Sequence, residues 1–103
     1  MTVDQARKVA LSFSEAYESS HHGHPDFRIP RGGIFATLWP DKGISVLRLP
    51  LEMAEGEATR SPGVCRVVSR SGGMGWLSVS LANADPEELR PLMEIAWYTR
   101  GGR

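Results

Sequence analysis

Five arginines and two aromatic residues of this sequence have side chains that suit nucleic-acid binding. A guanidinium group donates several hydrogen bonds to a phosphate, and an aromatic ring stacks on a base. Most of these residues fall in segments with the pattern of strands, so we expect them on one sheet surface. We predict that the arginines contact phosphate and that one of the two rings contacts a base or sugar. The predicted contact residues are Arg28, Arg31, Arg48, Arg66, Arg70, Phe35 and Trp76.

The same rings also fit a purely structural interpretation. Trp76, Phe35 and Trp39 would then cover a partly exposed sheet face, with the aliphatic stems of arginines packed beside them. An exposed sheet face or edge strand also suits a second kind of partner, a protein or a peptide. Salt distinguishes the two partners, because apolar contacts tolerate it whereas phosphate contacts weaken as it is added.

The remaining reactive residue types form no catalytic or metal-binding set in the sequence. His21, His22 and His24 share one loop but lack a fourth ligand at a defined spacing for zinc or nickel. Cys65 lies inside a predicted strand, where we expect a packed and unreactive thiol. The glycine-rich run at 71–75 lacks the lysine and the helix that follow a phosphate-binding loop. We therefore expect no catalytic residues, no metal and no cofactor.

The overall charge is balanced, so an electrostatic partner must meet a local patch. Twelve Lys and Arg residues stand against twelve Asp and Glu residues, and the isoelectric point is about 6.8. The charges are unevenly distributed along the chain. Segments 19–49 and 58–84, which are mostly predicted sheet, are basic, and the predicted helices hold most of the acids. We expect a basic sheet side and an acidic helical side.

Length and composition indicate one soluble domain over residues 1–103. The single cysteine cannot form an intramolecular disulfide, and the longest apolar stretch, residues 34–39, is too short to span a bilayer. The N-terminus lacks the charged, apolar and small-residue zones of a signal peptide. We expect a cytoplasmic protein with no membrane association and a monomer, with an oligomer left open.

Hydrophobic periodicity predicts the element order α-β-β-β-α-β-β-α. The predicted helices are Thr2–Phe13, Leu51–Ala58 and a third that begins at Asp85 and carries an apolar stripe to Trp97. The predicted strands are Asp26–Ile29, Ile34–Trp39, Ile44–Leu49, Val64–Ser69 and Trp76–Leu81. Residues 14–25 and 70–75 are predicted to be loops. This order predicts an α+β fold in which an antiparallel sheet packs on helices and its other face is open to solvent.

Alternation along two strands bears on which side chains face outward. Leu77 and Val79 alternate with Trp76, so Trp76 lies on the open face if the aliphatic residues face the helices. The strand Ile34–Trp39 is apolar at both parities. Two assignments are therefore open: either Phe35 and Trp39 lie outside, or Ile34 and Leu38 do.

Short motifs along the whole chain carry a family resemblance. They are HPDFRIP at 24–30, GIFATL at 33–38, LRLP at 47–50, GWLSVSL at 75–81 and AWY at 96–98. On these motifs the chain resembles the MmcQ/YjbR family, in which a similar HPxF segment precedes a Gly-Lys-x-Phe-Ala strand. Gly33 stands where that family usually has lysine, and Ser14 stands where a proline commonly ends the first helix.

The resemblance implies a compact α+β domain, similar to the CyaY-like fold, and a DNA-binding role described as a double-wing arrangement. It implies no enzymatic activity. Because Gly33 replaces a lysine, the share of phosphate contact that the lysine would make passes to Arg31. The acids of this chain are too scattered to support iron binding by analogy with frataxin-like proteins. The expectation is a non-enzymatic DNA-binding module.

Overall fold

A computed structural model describes all residues, 1–103, as three α-helices, six β-strands and one short 3-10 helix. The helices are α1 (Val3–Leu11), α2 (Leu51–Arg60), the 3-10 helix (Leu81–Asn83) and α3 (Pro86–Thr99). The strands are β1 (Tyr17–His21), β2 (His24–Ile29), β3 (Gly33–Trp39), β4 (Ile44–Pro50), β5 (Cys65–Ser71) and β6 (Met74–Ser80). The predicted α+β class is confirmed, with one strand more than the sequence indicated.

The strands form a single antiparallel sheet in the order β1-β2-β3-β4-β6-β5. Sequence neighbours are sheet neighbours except at one edge, where β6 lies between β4 and β5. The helix α2 makes this possible, because it carries the chain from β4 to the far edge strand. Helices cover one face of the sheet, and the other face is left uncovered, as predicted.

The additional strand, β1, lies in the segment predicted to be a loop. Its residues Tyr17–His21 are mostly polar and exposed, so they give no alternating hydrophobic signal. His22 and Gly23 join β1 to β2 with φ values of 50° and 79°, the positive φ at both positions that a type I′ turn requires. Histidine is one of the non-glycine residues enriched in this left-handed region. The histidine-rich run is thus a hairpin.

The loop predicted over residues 70–75 is also shorter than expected. Strands β5 and β6 extend to Ser71 and Met74, and only Gly72 and Gly73 lie between them. Both glycines have positive φ, 58° and 79°, which suits the same kind of two-residue turn. This hairpin is therefore a tight turn between long strands.

The helices and the covered face of the sheet enclose a core of 19 buried hydrophobic residues. The close approach of α2 to β6 requires Gly75, because a Cβ there would lie 2.9 Å from the Cβ of Ala54. The largest fully buried hydrophobic side chains are Phe27, Phe35, Leu38, Leu47, Leu49, Leu77, Leu89, Met93 and Val79. This core holds the sheet as a rigid platform for its open face.

Phe35 belongs to this core, and its predicted contact with a base or sugar is wrong. Ile34 and Ala36 each have a partner on β2 whereas Phe35 has none, so Phe35 is the extra residue of a β-bulge. Its ring is completely buried, 6.5 Å from the ring of Phe13 in an edge-to-face contact. The bulge changes the alternation, so the open face receives Ile34 and Trp39, one from each assignment that the sequence left open.

Two of the predicted helix starts, those of α1 and α3, have side-chain caps. Thr2 and Gln5 form a capping box at α1, and Asp85 and Glu88 form another at α3. Helix α1 ends at Leu11, earlier than predicted. None of the helices is long and apolar enough to cross a membrane.

Candidate anion-binding groove

The open face presents its side chains in three rows that cross the strands. The first row holds His21, His24, Trp39, Ile44 and Ser80. The middle row holds Ser19, Asp26, Thr37, Val46, Ser78 and Arg66. The third row holds Tyr17, Arg28, Ile34, Arg48, Trp76 and Ser69. Asp26 is the one acidic residue in these rows, so basic groups predominate on this face.

A groove of about 680 Å³ lies over these rows, and we call it the open-face groove. Its volume is typical of sites that take small ligands or ligand fragments. Apolar side chains, among them Ile34 and Val46, line it together with polar and charged groups. The lining residues are His21, Arg28, Gly33, Ile34, Thr37, Trp39, Val46, Val68, Ser69, Trp76 and Arg100.

At the β1–β2 side of the groove, a histidine and an arginine share a buried carboxylate. Asp26 is 0% exposed. Arg28 donates from Nε to Oδ1 at 2.8 Å and from Nη2 to Oδ2 at 3.0 Å. The Nδ1 atom of His21 lies 2.7 Å from Oδ2 of Asp26.

These contacts fix the ionisation of the carboxylate. The hydrogen bond from Arg28 holds the pKa of Asp26 below its ordinary value, outweighing burial, which acts in the opposite direction. The same hydrogen bond raises the pKa of Arg28. Asp26 is therefore an acceptor at neutral pH, and Nδ1 of His21 donates to it. The other ring nitrogen of His21, Nε2, has no hydrogen-bond partner within the protein.

The β1–β2 hairpin brings these three residues together. Because its turn has only two residues, His21 pairs with His24 and becomes the diagonal neighbour of Asp26 on the same face. Arg28 follows Asp26 by two residues along β2, so it lies on that face as well. The arrangement follows from strand alternation and the length of the turn.

Arg100 enters the groove from the end of α3. Its Nε donates to the carbonyl oxygen of Ile34 at 2.7 Å. Burial, and after it the charge of Arg48, lowers the pKa of Arg100. The close approach depends on Gly32, because a Cβ there would overlap the backbone carbonyl of Arg100. The C-terminal end of α3 thus packs on the β2–β3 turn and directs a guanidinium over β3.

Arg48 lies opposite Trp76 in the third row and shares the positive field around Arg100. No carboxylate lies within ion-pair distance of Arg48 or Arg100. Two like charges without a carboxylate between them create a site where an external anion lowers the electrostatic energy. We call the connected series Arg48, Arg100 and Arg28, which ends beside His21, the cationic track.

The two tryptophans of the groove differ in availability. Trp39 donates its indole N–H to Thr37 at 3.0 Å, and the ring of His24 lies against it with centroids 3.6 Å apart. The ammonium group of Lys42 lies 4.9 Å from the Trp39 ring. Trp76 has no aromatic partner and is half-buried beside Arg48. Trp39 thus forms a wall, and Trp76 is the ring left to stack on a ligand.

Of the seven residues predicted from the sequence, three meet at this groove. Arg28 and Trp76 line it, and Arg48 lies beside Trp76. Arg31 lines a separate hollow on the other side of Arg100, together with Arg103 and Glu15.

Two further predicted arginines lie at the β5 edge of the sheet. Arg66 and Arg70 line a hollow with Glu55 of α2. The guanidinium of Arg70 is 3.5 Å from the Glu55 carboxylate. These arginines are therefore apart from the cationic track, and one of them has an acidic partner.

Sequence reasoning missed three residues of the site. Arg100 lies 66 residues from its partner Ile34, and no sequence signal indicates that contact. His21 and Asp26 were assigned to a loop and to the start of a strand. A signal existed for them, since a glycine two residues after His21 marks a tight hairpin turn and makes the residues around it cross-strand neighbours.

The single cysteine lies away from the groove. Cys65 is buried in the core, and burial raises the pKa of its thiol, in agreement with the expected unreactive cysteine. No three His, Cys, Asp or Glu side chains come close enough together to hold a metal ion.

The chain is an α+β domain with helices on one face of a six-stranded antiparallel sheet and a basic groove on the other. No family model matches its sequence, and no curated protein matches it. Its fold is similar to the crystal structure of Deinococcus radiodurans protein DR2400, a DUF419 domain, with a TM-score of 0.79. The likeness covers 95% of this chain and 77% of that chain at 17% sequence identity. At this identity the likeness establishes a shared fold.

Proposed function

We propose that the open-face groove binds single-stranded nucleic acid, so that this chain is a nucleic-acid-binding module. The proposal keeps the DNA-binding role that the resemblance to the MmcQ/YjbR family implies. The residues that perform this role differ from those predicted from the sequence. Phosphates are held by the cationic track, and a base stacks on Trp76; the core residue Phe35 has no part in binding.

The observation that carries this proposal is the continuity of the track. Trp76 lies opposite Arg48, whose charge acts on Arg100. Arg100 bonds to Ile34, the cross-strand partner of Arg28. A stacking surface and a series of cations therefore follow one another along one groove. Sequence-tolerant binding of single strands uses these two elements together.

The dimensions favour a single strand over a duplex. Between Trp76 on β6 and His21 on β1 lie four strand spacings, roughly 19 Å at the usual separation of neighbouring strands. That length suits a few nucleotides. A base can stack on the half-buried ring of Trp76 only when it is unpaired and turned outward.

The test is the salt dependence of binding to a fluorescein-labelled oligothymidine, measured by fluorescence anisotropy. With three track arginines on phosphate, the affinity should fall roughly 15-fold between about 50 and 200 mM NaCl, a log–log slope of about −2. Arg48→Gln should reduce the slope to about −1.4, since one phosphate contact is lost.

The control variant is Arg90→Gln, which removes the same charge from an exposed position of α3 on the helical side. It should bind with the affinity and salt slope of the unmodified protein. No binding at about 50 mM salt, or equal effects of the two variants, would overturn the proposal.

One observation favours a second candidate, a peptide partner at the β5 edge. Val68 is the extra residue of a bulge in β5 and is 47% exposed. An extended peptide could pair with this free edge and cover the valine. Such binding would be insensitive to salt and would be lost in Val68→Lys, whereas Arg48→Gln would leave it unchanged.

A further inference from the structure

We propose that the open-face groove also cleaves single-stranded RNA without a metal ion, with His21 as the general base. The inference rests on the proposed function, because the RNA must first bind along the cationic track. It goes beyond binding because it assigns a reaction. The sequence showed no nucleophile, base and orienting group together, but the folded chain supplies base and orienting group, and RNA carries its own nucleophile, the 2′-hydroxyl.

The orientation of His21 suits it to act as a base. Its Nδ1 is bound to a carboxylate that is completely buried and ionised, which fixes the ring and its tautomer. The Nε2 atom is left as the free basic nitrogen. The His21 side chain is 36% exposed and lines the groove, so a ligand can reach Nε2. Asp26 acts through His21 and is a positioning residue.

The charge around this imidazole also suits it to this reaction. Arg28 shares the Asp26 carboxylate through Nε and Nη2 and has Nη1 left for a ligand. Arg28 is also the cross-strand partner of Ile34, whose carbonyl binds Arg100. A phosphate that follows the track toward β1 thus reaches His21 beside guanidinium groups. Such groups stabilise the extra negative charge of a five-coordinate phosphorus transition state.

A second imidazole stands on the neighbouring strand, at the position paired with His21. His24 pairs directly with His21 across the hairpin. Its ring is held against Trp39, and neither of its nitrogens makes a hydrogen bond within the chain. In its protonated form it can donate a proton to a leaving oxygen. Two neighbouring imidazoles thus provide the base and the acid that phosphodiester transesterification needs.

The reaction balances without any further reagent. The 2′-hydroxyl gives its proton to Nε2 of His21, and the 2′-oxygen forms a bond to the adjacent phosphorus. The bond from phosphorus to the 5′-oxygen breaks, and this oxygen takes a proton from the His24 imidazolium. The products are a 2′,3′-cyclic phosphate and a 5′-hydroxyl end. Exchange with water then returns His21 to its neutral form and His24 to its protonated form.

The experiment compares end-labelled oligouridine with oligothymidine of the same length, in EDTA. The protein should cut oligouridine to products that end in 2′,3′-cyclic phosphate. It should bind oligothymidine without cutting it, since DNA has no 2′-hydroxyl. His21→Asn should lower the cleavage rate at least about 100-fold, the usual contribution of a general base. His24→Asn should also lower it.

The control is Arg90→Gln, which changes an exposed position of α3 on the helical side, away from the groove. This variant should cleave at the unmodified rate. Asp26→Asn, checked for folding by circular dichroism, should lower kcat more than it raises KM, because it releases the His21 ring and affects substrate binding only through Arg28.

Binding of both oligonucleotides with no cleavage of oligouridine would overturn this inference and leave the proposed function standing. Cleavage at the unmodified rate by His21→Asn would also overturn it. Absence of binding to either oligonucleotide would overturn both proposals.

Discussion

The two ends of the cationic track hold the same side-chain type in opposite electrostatic situations. At the β1–β2 end, Arg28 is bound by two hydrogen bonds to the carboxylate of Asp26. At the β4–α3 end, Arg48 and Arg100 repel each other, with no carboxylate at ion-pair distance of either. Arg28 therefore holds the fold and has only Nη1 left for an anion, whereas Arg48 and Arg100 have no acidic partner at all.

This difference shows why a count of charges says little about a site. The chain has equal numbers of basic and acidic residues, yet its open face keeps one buried acid among several bases. Position decides whether an arginine is neutralised. Substitutions at the two ends should consequently affect stability and binding in opposite proportions.

The largest expected effect is on the stability of the β1–β2 end of the track, where Arg28 is paired with Asp26. Asp26→Asn removes the charge that accepts hydrogen bonds from Arg28 and His21, and it should lower the free energy of unfolding by about 2 kcal/mol. Asp41→Asn is the matched control, because Asp41 is exposed in a turn and forms no ion pair. It should change the free energy by less than about 0.5 kcal/mol. Urea denaturation measures both, and equal effects would contradict the assignment of Asp26.

The same carboxylate makes stability sensitive to acid. The pKa of Asp26 is lowered in the folded chain, chiefly by the hydrogen bond from Arg28, so the unfolded chain takes up the proton more readily. Its contribution to stability is complete above the ordinary aspartate value of about 4 and is lost as the pH falls through the lower folded value. The difference in stability between the unmodified protein and Asp26→Asn should therefore shrink below about pH 4. If this difference in stability grew as the pH fell, the pKa of Asp26 could not be lowered in the folded chain.

The next largest effect is on nucleic-acid binding at the β4–α3 end of the track, where the arginines have no acidic partner. Trp76→Leu removes the ring proposed to stack on a base and should weaken oligothymidine binding about tenfold, since stacking on one base is worth about 1–3 kcal/mol. Its salt slope should not change, because no phosphate contact is lost. Trp97→Leu is unsuitable as a control because Trp97 packs on Phe13 of the core layer. Tyr98→Leu, at a 68% exposed position of α3, should bind normally.

A smaller effect is on the melting temperature, which should change differently for substitutions at the two ends of the track. Arg28→Gln leaves the buried carboxylate of Asp26 without its main partner, and the melting temperature should fall by roughly 5 °C. Arg48→Gln relieves repulsion with Arg100, and the melting temperature should stay within about 2 °C or rise. Calorimetry on the two variants tests this directly. A larger loss in Arg48→Gln would mean that Arg48 has a structural role.

The smallest effect is expected outside the track. Arg66→Gln changes an exposed side chain at the β5 edge and should alter stability by less than about 0.5 kcal/mol. Its effect on oligothymidine binding should be less than twofold, a change of about 0.4 kcal/mol. Fluorescence anisotropy titrations of Arg66→Gln and Arg48→Gln, measured side by side, provide the comparison. A loss equal to that of Arg48→Gln would extend the binding surface to the sheet edge.

Much of the fold could be predicted from the sequence, because its strands and helices have strong hydrophobic periods and clear caps. Strand β1 could not be, because its edge position gives it polar residues, such as Glu18 and Ser19, on both parities. The prediction that Phe35 contacts a base or sugar was wrong for another reason. A bulge shifts alternation by one residue, and nothing in the local sequence marks where the shift occurs.

The candidate site was only partly predictable for a similar reason. Arg28, Arg48 and Trp76 lie on strands whose alternation can be followed, so they were found. Arg100 is placed by the packing of α3 on the β2–β3 turn, which depends on Gly32 and on contacts distant in sequence. His21 and Asp26 required knowledge of the turn between them. Long-range packing and exact turn length are the two quantities that the pattern of residues did not supply.

The indole N–H signals of the three tryptophans, followed by NMR during titration with oligothymidine, test the central claim most directly. Trp76 and Trp39 line the open-face groove, whereas Trp97 donates to the Ser14 carbonyl on the helical side and provides an internal control. The account predicts that the Trp76 signal shifts most, that Trp39 shifts less and that Trp97 does not move. A shift confined to Trp97, or no shift at oligonucleotide concentrations that saturate binding, would contradict it.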